Sequence, residues 1–259
     1  MREINAILAI AGRDVVKLLR DRTRILANFV FPVIFIGILG TSLQSNFEAG
    51  LQYNFMTFVF TGVLGQTLFQ STAAGIISLV EDRQNDFAQE LFISPISRYS
   101  IVLGKIVGET LVALIQVVAV ILFGIIIGVP ISLISLFELI PVFIVVAFLG
   151  GSFGLFVMSN LTEQRAANQI FPFLLFPQFF LAGVFTPVKI LPLPLLIASR
   201  MMPMTYGVDL VRSVYYFGNS QSAYTVLFNP FIDFLVVIGF WSVFFVLGTI
   251  IFVRNEKNR

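Results

Sequence analysis

The chain has 259 residues, of which 58% are hydrophobic and only 12% are charged, and its mean hydropathy is +0.96. Soluble domains carry about twice that charged fraction, so the composition excludes a soluble enzyme and a nucleic-acid-binding domain. The sequence contains no Cys and no His, which removes thiol chemistry, Ser-His-Asp hydrolysis and metals held by imidazole. The composition therefore predicts an integral membrane protein.

Residues 1–24 have the pattern of an amphipathic helix. Apolar side chains recur at steps of three and four on one face, at Ile4, Leu8, Ala11, Val15 and Leu18. Basic side chains occupy another face, at Arg13, Lys17, Arg20 and Arg24. Such a helix lies in the headgroup layer, where its basic side attracts anionic lipid. Two interpretations stand: a membrane-surface anchor, or a helix whose polar face also contacts a cytoplasmic partner.

Six segments approach the length of about 20 apolar residues that a helix needs to cross a bilayer. They are Ile25–Leu43, Phe55–Val80, Ile101–Gly128, Leu139–Met158, Ala166–Phe185 and Phe231–Val253. We therefore expect an all-α membrane protein with six transmembrane helices in residues 25–253 and a tail at residues 254–259.

The basic residues are distributed unevenly between the two sides of these segments. Thirteen of the sixteen lie at the two ends of the chain, in the loops after the second and fourth segments or, for Lys105, at the start of the third segment. The other three, Lys189, Arg200 and Arg212, lie between the fifth and sixth segments. Because positive charges are enriched in cytoplasmic loops, both termini are predicted to be cytoplasmic.

The loop at residues 81–98, after the second segment, has the pattern of a short helix that ends at Pro95. Phe87 and Leu91 form an apolar ridge, and acidic residues follow the same spacing beside it. The residues that such a helix would offer to another protein are Glu81, Asp82, Arg83, Asp86, Phe87, Glu90, Leu91, Phe92 and Pro95. A docking element and an ordinary solvated linker are both compatible with this pattern.

Charged and small residues also occur inside the segments. Lys105 and Glu109 are four residues apart and can pair along one face of the third segment, either as a structural pair or in gating. Glycines at four-residue spacing allow close helix packing, at Gly104 and Gly108, Gly124 and Gly128, and Gly150 and Gly154.

Residues 187–230 are too many for a turn and too apolar for an open loop. The short pieces Leu191–Ile197 and Thr205–Phe217 cannot span a bilayer, so we expect re-entrant or interfacial helices on the outer side. Asp209 and Arg212 are three residues apart and are expected to pair there.

Two blocks of sequence resemble the permeases of type-2 ABC exporters (ABC-2 type membrane subunits), especially those of drug-resistance exporters. The first block consists of Glu81-Asp82-Arg83, Glu90-Leu91, Ser94-Pro95-Ile96-Ser97-Arg98, Leu103-Gly104-Lys105 and Gly108-Glu109-Thr110. The second consists of Phe176-Pro177-Gln178, Leu181-Ala182-Gly183-Val184-Phe185-Thr186-Pro187, and Pro203-Met204-Thr205-Tyr206-Gly207 with Arg212.

The resemblance implies an exporter permease in the cell membrane that pairs with a second copy or a close homologue. Two copies of a separate ATPase subunit would supply ATP and Mg, with the loop at residues 81–98 as the coupling element. The chain itself has no G-x-x-x-x-G-K-[ST] phosphate loop, and we assign it no catalytic, cofactor-binding or metal-ligating residue.

If the second and fifth segments approach the dimer axis, as in similar exporters, polar and aromatic residues on them would line the cargo path. These residues are Gln66, Thr67, Phe69, Gln70, Gln178, Phe179 and Phe180. Aromatic faces with few hydrogen-bonding groups suit amphipathic or lipid-like cargo better than an ion. The amides have an alternative role as hydrogen-bonding links between helices.

Other functions remain as alternatives. A secondary transporter or channel usually shows internal repeats and broken helices around an ion site, and neither feature is clear here. An intramembrane enzyme lacks support because His, Cys and a pair of membrane-embedded aspartates are missing. Within the ABC interpretation, a polysaccharide or glycolipid exporter is the alternative to a drug exporter.

Overall fold

The computed structural model describes residues 2–21, 25, 30, 32–40, 51–84, 96–161 and 164–257. Within these ranges the chain is helical and contains no β-strand. The α-helices are α1 (Arg2–Arg20), α2 (Phe55–Gly75), α3 (Ile77–Gln84), α4 (Arg98–Ile126), α5 (Leu133–Met158), α6 (Gln164–Leu181), α7 (Leu193–Met201), α8 (Pro203–Tyr215), α9 (Ser222–Thr225) and α10 (Pro230–Lys257). A π-helix covers Ile34–Gly40, and a 3₁₀ turn covers Val188–Ile190.

Four helical stretches in the described part of the chain are long and apolar enough to cross a membrane. They are Phe55–Val80, Arg98–Ile126, Leu133–Met158 and Ser222–Asn255. Four of the six predicted segments correspond to them, so the multi-pass architecture is present. The first predicted segment, Ile25–Leu43, falls largely outside the described residues.

Serine side chains set the beginnings of two of these helices. Ser97 accepts a hydrogen bond from the backbone N–H of Ser100 at 3.1 Å, and Ser132 accepts one from Ser135 at 3.0 Å. Such caps satisfy backbone donors that have no partner inside the helix. Because of the Ser132 cap, α5 begins six residues earlier than the predicted Leu139.

The fifth predicted segment forms α6, an 18-residue helix that is less apolar than the four stretches able to cross a membrane. Its first turns are polar, with Gln164, Arg165, Asn168 and Gln169, and it contains two prolines. The helix ends before Gly183, whose φ of +81° reverses the chain at low cost.

The core of the described structure forms around α2, most of whose residues are buried. Helices α4, α5 and α8 pack against it, and α10 packs on α5 and α8. The predicted Gly150 and Gly154 lie where α5 crosses α2: a Cβ at Gly154 would be 2.5 Å from the carbonyl oxygen of Ala73. Close packing of these two helices therefore requires glycine on α5.

Helix α1 packs along α4. The predicted pair Gly104 and Gly108 makes this contact, since Cβ atoms there would lie 3.2 Å from Ile7 Cα and 3.0 Å from Ala11 Cα, respectively. In the pair Gly124 and Gly128, a Cβ at Gly124 would meet the ring of Phe60, whereas Gly128 has a φ of +85° and follows the end of α4.

The residues of the apolar face that the sequence pattern predicted for α1 differ in their exposure. Ala11 and Leu18 are buried against the rest of the protein, whereas Ile4 and Leu8 are more than half exposed. Asp14, which lies between Ala11 and Leu18 in sequence, is also buried. The placement of α1 in the headgroup layer stays a prediction.

Residues 187–230 contain the 3₁₀ turn and helices α7, α8 and α9. Helix α7 is largely exposed, but α8 is buried from Pro203 to Ser213 between α2, α5 and α10. The predicted location of this segment on the outer side of the membrane stays a prediction.

Asp209 and Arg212, which were expected to pair, do not form a direct salt bridge, and the hydrogen bonds of each side chain go to other groups. Asp209 accepts hydrogen bonds from the backbone N–H groups of Leu227 and Phe228, both as short as 2.8 Å. Arg212 donates to the carbonyl oxygens of Gly183 at 2.9 Å and Phe58 at 3.2 Å. Its guanidinium carbon also lies 3.8 Å from the centre of the Phe58 ring.

Candidate functional site

A cavity of about 380 Å³ lies between α6, the second span and the π-helix. Residues from four helical elements line it: Phe35, Gln70, Ala74, Ile77, Asn168, Phe171, Pro172, Leu175, Phe176, Phe179 and Phe180. We call this space the aromatic cavity. Most of its lining comes from α6, whose lining residues recur at steps of three and four and so occupy one helical face.

Phenylalanine rings form one continuous cluster at the aromatic cavity. The ring centres of Phe179 and Phe35 are 5.3 Å apart, and those of Phe179 and Phe180 are 5.2 Å apart, both in edge-to-face geometry. Phe185 adds a further ring 5.0 Å from Phe179. Aromatic pairs at these distances attract one another beyond simple burial of area, so the cluster gives the cavity a defined apolar wall.

Among the described residues of the cavity lining, two amides, from Gln70 and Asn168, have hydrogen-bonding side chains. Gln70 is exposed, and its carbonyl oxygen accepts a hydrogen bond from the side-chain amide of Gln66 at 2.8 Å. No ionisable side chain occurs among the described residues of the lining. The cavity can therefore contact apolar groups over most of its surface and offers polar contacts at only a few points.

Three of the seven residues predicted for the cargo path line this cavity: Gln70, Phe179 and Phe180. Gln66 is buried and donates a hydrogen bond to Gln70. Phe69 is fully buried, and the centre of its ring is 5.4 Å from that of Phe153. Thr67 is partly buried and is not part of the lining. The contact of these residues with cargo stays a prediction.

Gln178 has the alternative role that the sequence left open, as a link between helices. It is 3% exposed, and its amide donates to the carbonyl oxygen of Leu174 within α6. Its carbonyl oxygen accepts from the backbone N–H of Met204 at 3.4 Å. Because Met204 lies in the first turn of α8, this contact joins α8 to α6.

Sequence reasoning missed most of the α6 residues of the cavity, notably Asn168, Phe171 and Phe176. A signal was present, because Asn168, Phe171, Leu175 and Phe179 follow helical spacing. The contribution of Phe35 had no such signal, since it depends on where the π-helix lies relative to α6.

The predicted coupling residues fall at the edge of the described structure. Glu81, Asp82 and Arg83 belong to α3, which continues the second span as far as Gln84. Asp86, Phe87, Glu90, Leu91, Phe92 and Pro95 lie outside the described residues.

The predicted pair of Lys105 and Glu109 is present and is part of a larger group of charges. Their closest nitrogen and oxygen atoms are 3.6 Å apart, and both side chains are 2% exposed. The ammonium of Lys105 lies closer to Asp14 of α1, at 2.8 Å. The sequence pattern did not indicate Asp14, because its partner is distant along the chain.

Glu3 makes a second connection between α1 and α4. Its carboxylate accepts a hydrogen bond from the backbone N–H of Ser97, at 3.3 Å to either oxygen. The hydroxyl of Ser100 and the backbone of Ser97 stabilise the ionised carboxylate and so lower the pKa of Glu3. Glu3 near the start of α1 and Asp14 further along it thus both contact α4 or its N-cap residue.

A family model described as ABC-2 type transporter matches residues 5–216, more than two thirds of the chain. The chain belongs to this family. A relative from Cyanophora paradoxa, named as a candidate transport permease, ycf38, is 23% identical over 220 residues. The match covers 82% of this chain and 74% of that relative. The resemblance found in the sequence is therefore confirmed, and the chain is a multi-pass membrane permease of the ABC-2 type.

Proposed function

We propose that this ABC-2 permease is the membrane subunit of an ATP-driven exporter that moves amphipathic or lipid-like cargo out of the cytoplasm. Two findings support the proposal: membership of the family, and a sequence without a phosphate-binding loop of its own. Energy would then come from a separate ATPase subunit, which binds ATP and Mg.

The coupling of ATP hydrolysis to movement would pass through residues 81–98. Helix α3 extends the second span directly into this segment, so a force on the segment acts on the end of a long helix. The acidic and apolar residues already named there would contact the ATPase, and α1 would flank them. Closure of the ATPase pair on ATP would then tilt the permease between inward-open and outward-open states.

The proposed assembly contains two ATPase subunits and two permeases, the second being another copy of this chain or a close homologue. The assembly would lie in the cell membrane, and the distribution of Lys and Arg supports a cytoplasmic position for both termini. The aromatic cavity on one permease would then form part of the cargo path.

The observation that carries the cargo class is the lining of the aromatic cavity. Phenylalanine and aliphatic side chains provide most of its surface, with Gln70 and Asn168 as the polar contacts. A polysaccharide would need many hydrogen-bonding partners, because each buried hydroxyl without one is costly. The lining therefore favours a drug-like or lipid-like molecule over a sugar polymer.

Cargo-stimulated ATPase activity of the reconstituted exporter tests this assignment. Phe179→Ala and Gln70→Leu change the cavity wall, so we expect a higher cargo concentration for half-maximal stimulation. Phe173→Ala is the matched control, because Phe173 is also on α6 but is 83% exposed and is not part of the lining. An equal response of Phe173→Ala and Phe179→Ala for every cargo tried would contradict a cargo role for the cavity.

A further inference from the structure

A buried group of charges joins α1, α4 and the cytoplasmic part of the second span. Lys105 is at its centre, with Asp14 at 2.8 Å and Glu109 at 3.6 Å, and Arg13 lies 3.3 Å from the other oxygen of Asp14. Asp14, Lys105 and Glu109 are each no more than 3% exposed. Removal of one buried member leaves the others uncompensated, which makes such a group strongly interdependent.

Glu109 also contacts the second span at the junction between α2 and α3, where Ile76 keeps helical backbone angles (φ −64°, ψ −18°). Helix α2 ends at Gly75 and α3 begins at Ile77, with Ile76 between them in a turn. The carboxylate of Glu109 lies against Gly75 so closely that a Cβ at Gly75 would overlap it. Glycine at this position is what allows the carboxylate to approach the junction of α2 and α3.

Ser78 connects Glu109 to the first turn of α3. Its hydroxyl donates to the carbonyl oxygen of Gly75 and lies 3.5 Å from Oε1 of Glu109. Glu109 therefore contacts both sides of the junction, Gly75 at the end of α2 and Ser78 in α3.

From this arrangement we infer that Asp14, Lys105 and Glu109 are positioning residues that fix α3 relative to α1, so that the two elements move as one unit. Lys105 contacts Glu109 and Asp14 at once, and Asp14 belongs to α1. The linkage is a property of the permease alone. Its consequence for transport rests on the proposed function, in which α1 and the segment after α3 both contact the ATPase.

The linkage is testable in the purified permease in lipid nanodiscs, without any ATPase. The natural chain has no Cys, so spin labels can be placed at introduced cysteines and their separation measured by pulsed electron paramagnetic resonance. One pair, Gly12→Cys with Gln84→Cys, reports α1 against the end of α3. A second pair, Gly12→Cys with Tyr99→Cys, reports α1 against α4.

Glu109→Gln keeps the shape of the side chain but removes its charge. We expect the Gly12–Gln84 distance distribution to broaden and shift, while the Gly12–Tyr99 distribution stays as in the unmodified chain. Glu138→Gln is the matched control, because Glu138 is an exposed carboxylate on α5 far along the chain from this group. It should change neither distribution.

A second variant approaches the same contact from the other helix. Gly75→Ala places a methyl group where the Glu109 carboxylate lies, so it should shift the Gly12–Gln84 distribution in the natural background. In the Glu109→Ala background there is space for the methyl group, and Gly75→Ala should add no further shift.

Three results would overturn the inference. One is an unchanged Gly12–Gln84 distribution in Glu109→Gln. Another is an equal change in both label pairs, which would mean that Glu109 only helps α1 to pack on α4. The third is a shift from Gly75→Ala that is the same with and without the Glu109 side chain.

Discussion

Replacement of Gly154 by alanine tests the packing on which the described core depends. A Cβ at this position would lie 2.5 Å from the carbonyl oxygen and 2.9 Å from the Cα of Ala73. Both are backbone atoms of α2, so no side-chain rotation can relieve the overlap, and α5 has to move away from α2. Overpacking of this kind costs about 1–3 kcal/mol.

The control is Gly239→Ala on α10, where a Cβ would have no heavy atom within 4 Å. This change should be neutral or stabilise the helix by up to about 1 kcal/mol, because alanine is the better helix former. A difference of about 2 kcal/mol between the two variants corresponds to roughly 30-fold in the unfolding equilibrium.

Unfolding in mixed micelles with increasing sodium dodecyl sulfate measures this difference. The chain has one tryptophan, Trp241, on α10, which packs on α5, so its fluorescence reports the unfolding of this part of the core. Gly154→Ala should unfold at a lower detergent fraction than the natural chain, and Gly239→Ala should not. Equal stability of the two variants would refute the close crossing of α5 over α2.

Three further predictions concern two buried hydrogen-bonded side chains and the proposed coupling segment. Gln178→Leu should lower stability by about 1–3 kcal/mol in the same unfolding assay, because it leaves the backbone N–H of Met204 without its acceptor; a change in cargo preference at unchanged stability would contradict this. Arg212→Lys should cost about 2 kcal/mol, since lysine lacks the planar fork that bonds the carbonyl oxygens of Phe58 and Gly183, and stability equal to the natural chain would show these bonds to be dispensable. Charge reversal at residues 81, 82 and 90 should reduce co-purification of the ATPase while membrane insertion, measured by protease protection, stays intact; undiminished binding would remove the coupling assignment.

The four long apolar helices could be predicted from the sequence because their signal is local. Each has about the length that a bilayer requires, and serine caps or glycines near the ends define several boundaries. Helix α6 was harder, because its polar first turns and two prolines weaken the same signal while its apolar face remains. The ABC-2 resemblance rested on short motifs, and these do not depend on hydropathy.

Contacts between residues distant in sequence could not be predicted in this way. Lys105 and Glu109 lie at helical spacing, but Asp14 joins them only because Gly104 and Gly108 allow α1 to pack closely on α4. Helix packing likewise places Arg212 beside α2 and the turn after α6, so it donates hydrogen bonds there and not to nearby Asp209. Local spacing indicates which pairs are possible, whereas packing decides which of them form.

Reconstitution into liposomes tests whether transport depends on an ATPase, by comparing the purified permease alone with the permease plus its ATPase. We predict cargo movement only when the ATPase, ATP and Mg are all present, and none when an ion gradient is imposed on the permease alone. Cargo movement by the permease alone, driven by an ion gradient, would contradict this prediction and identify the protein as a secondary transporter.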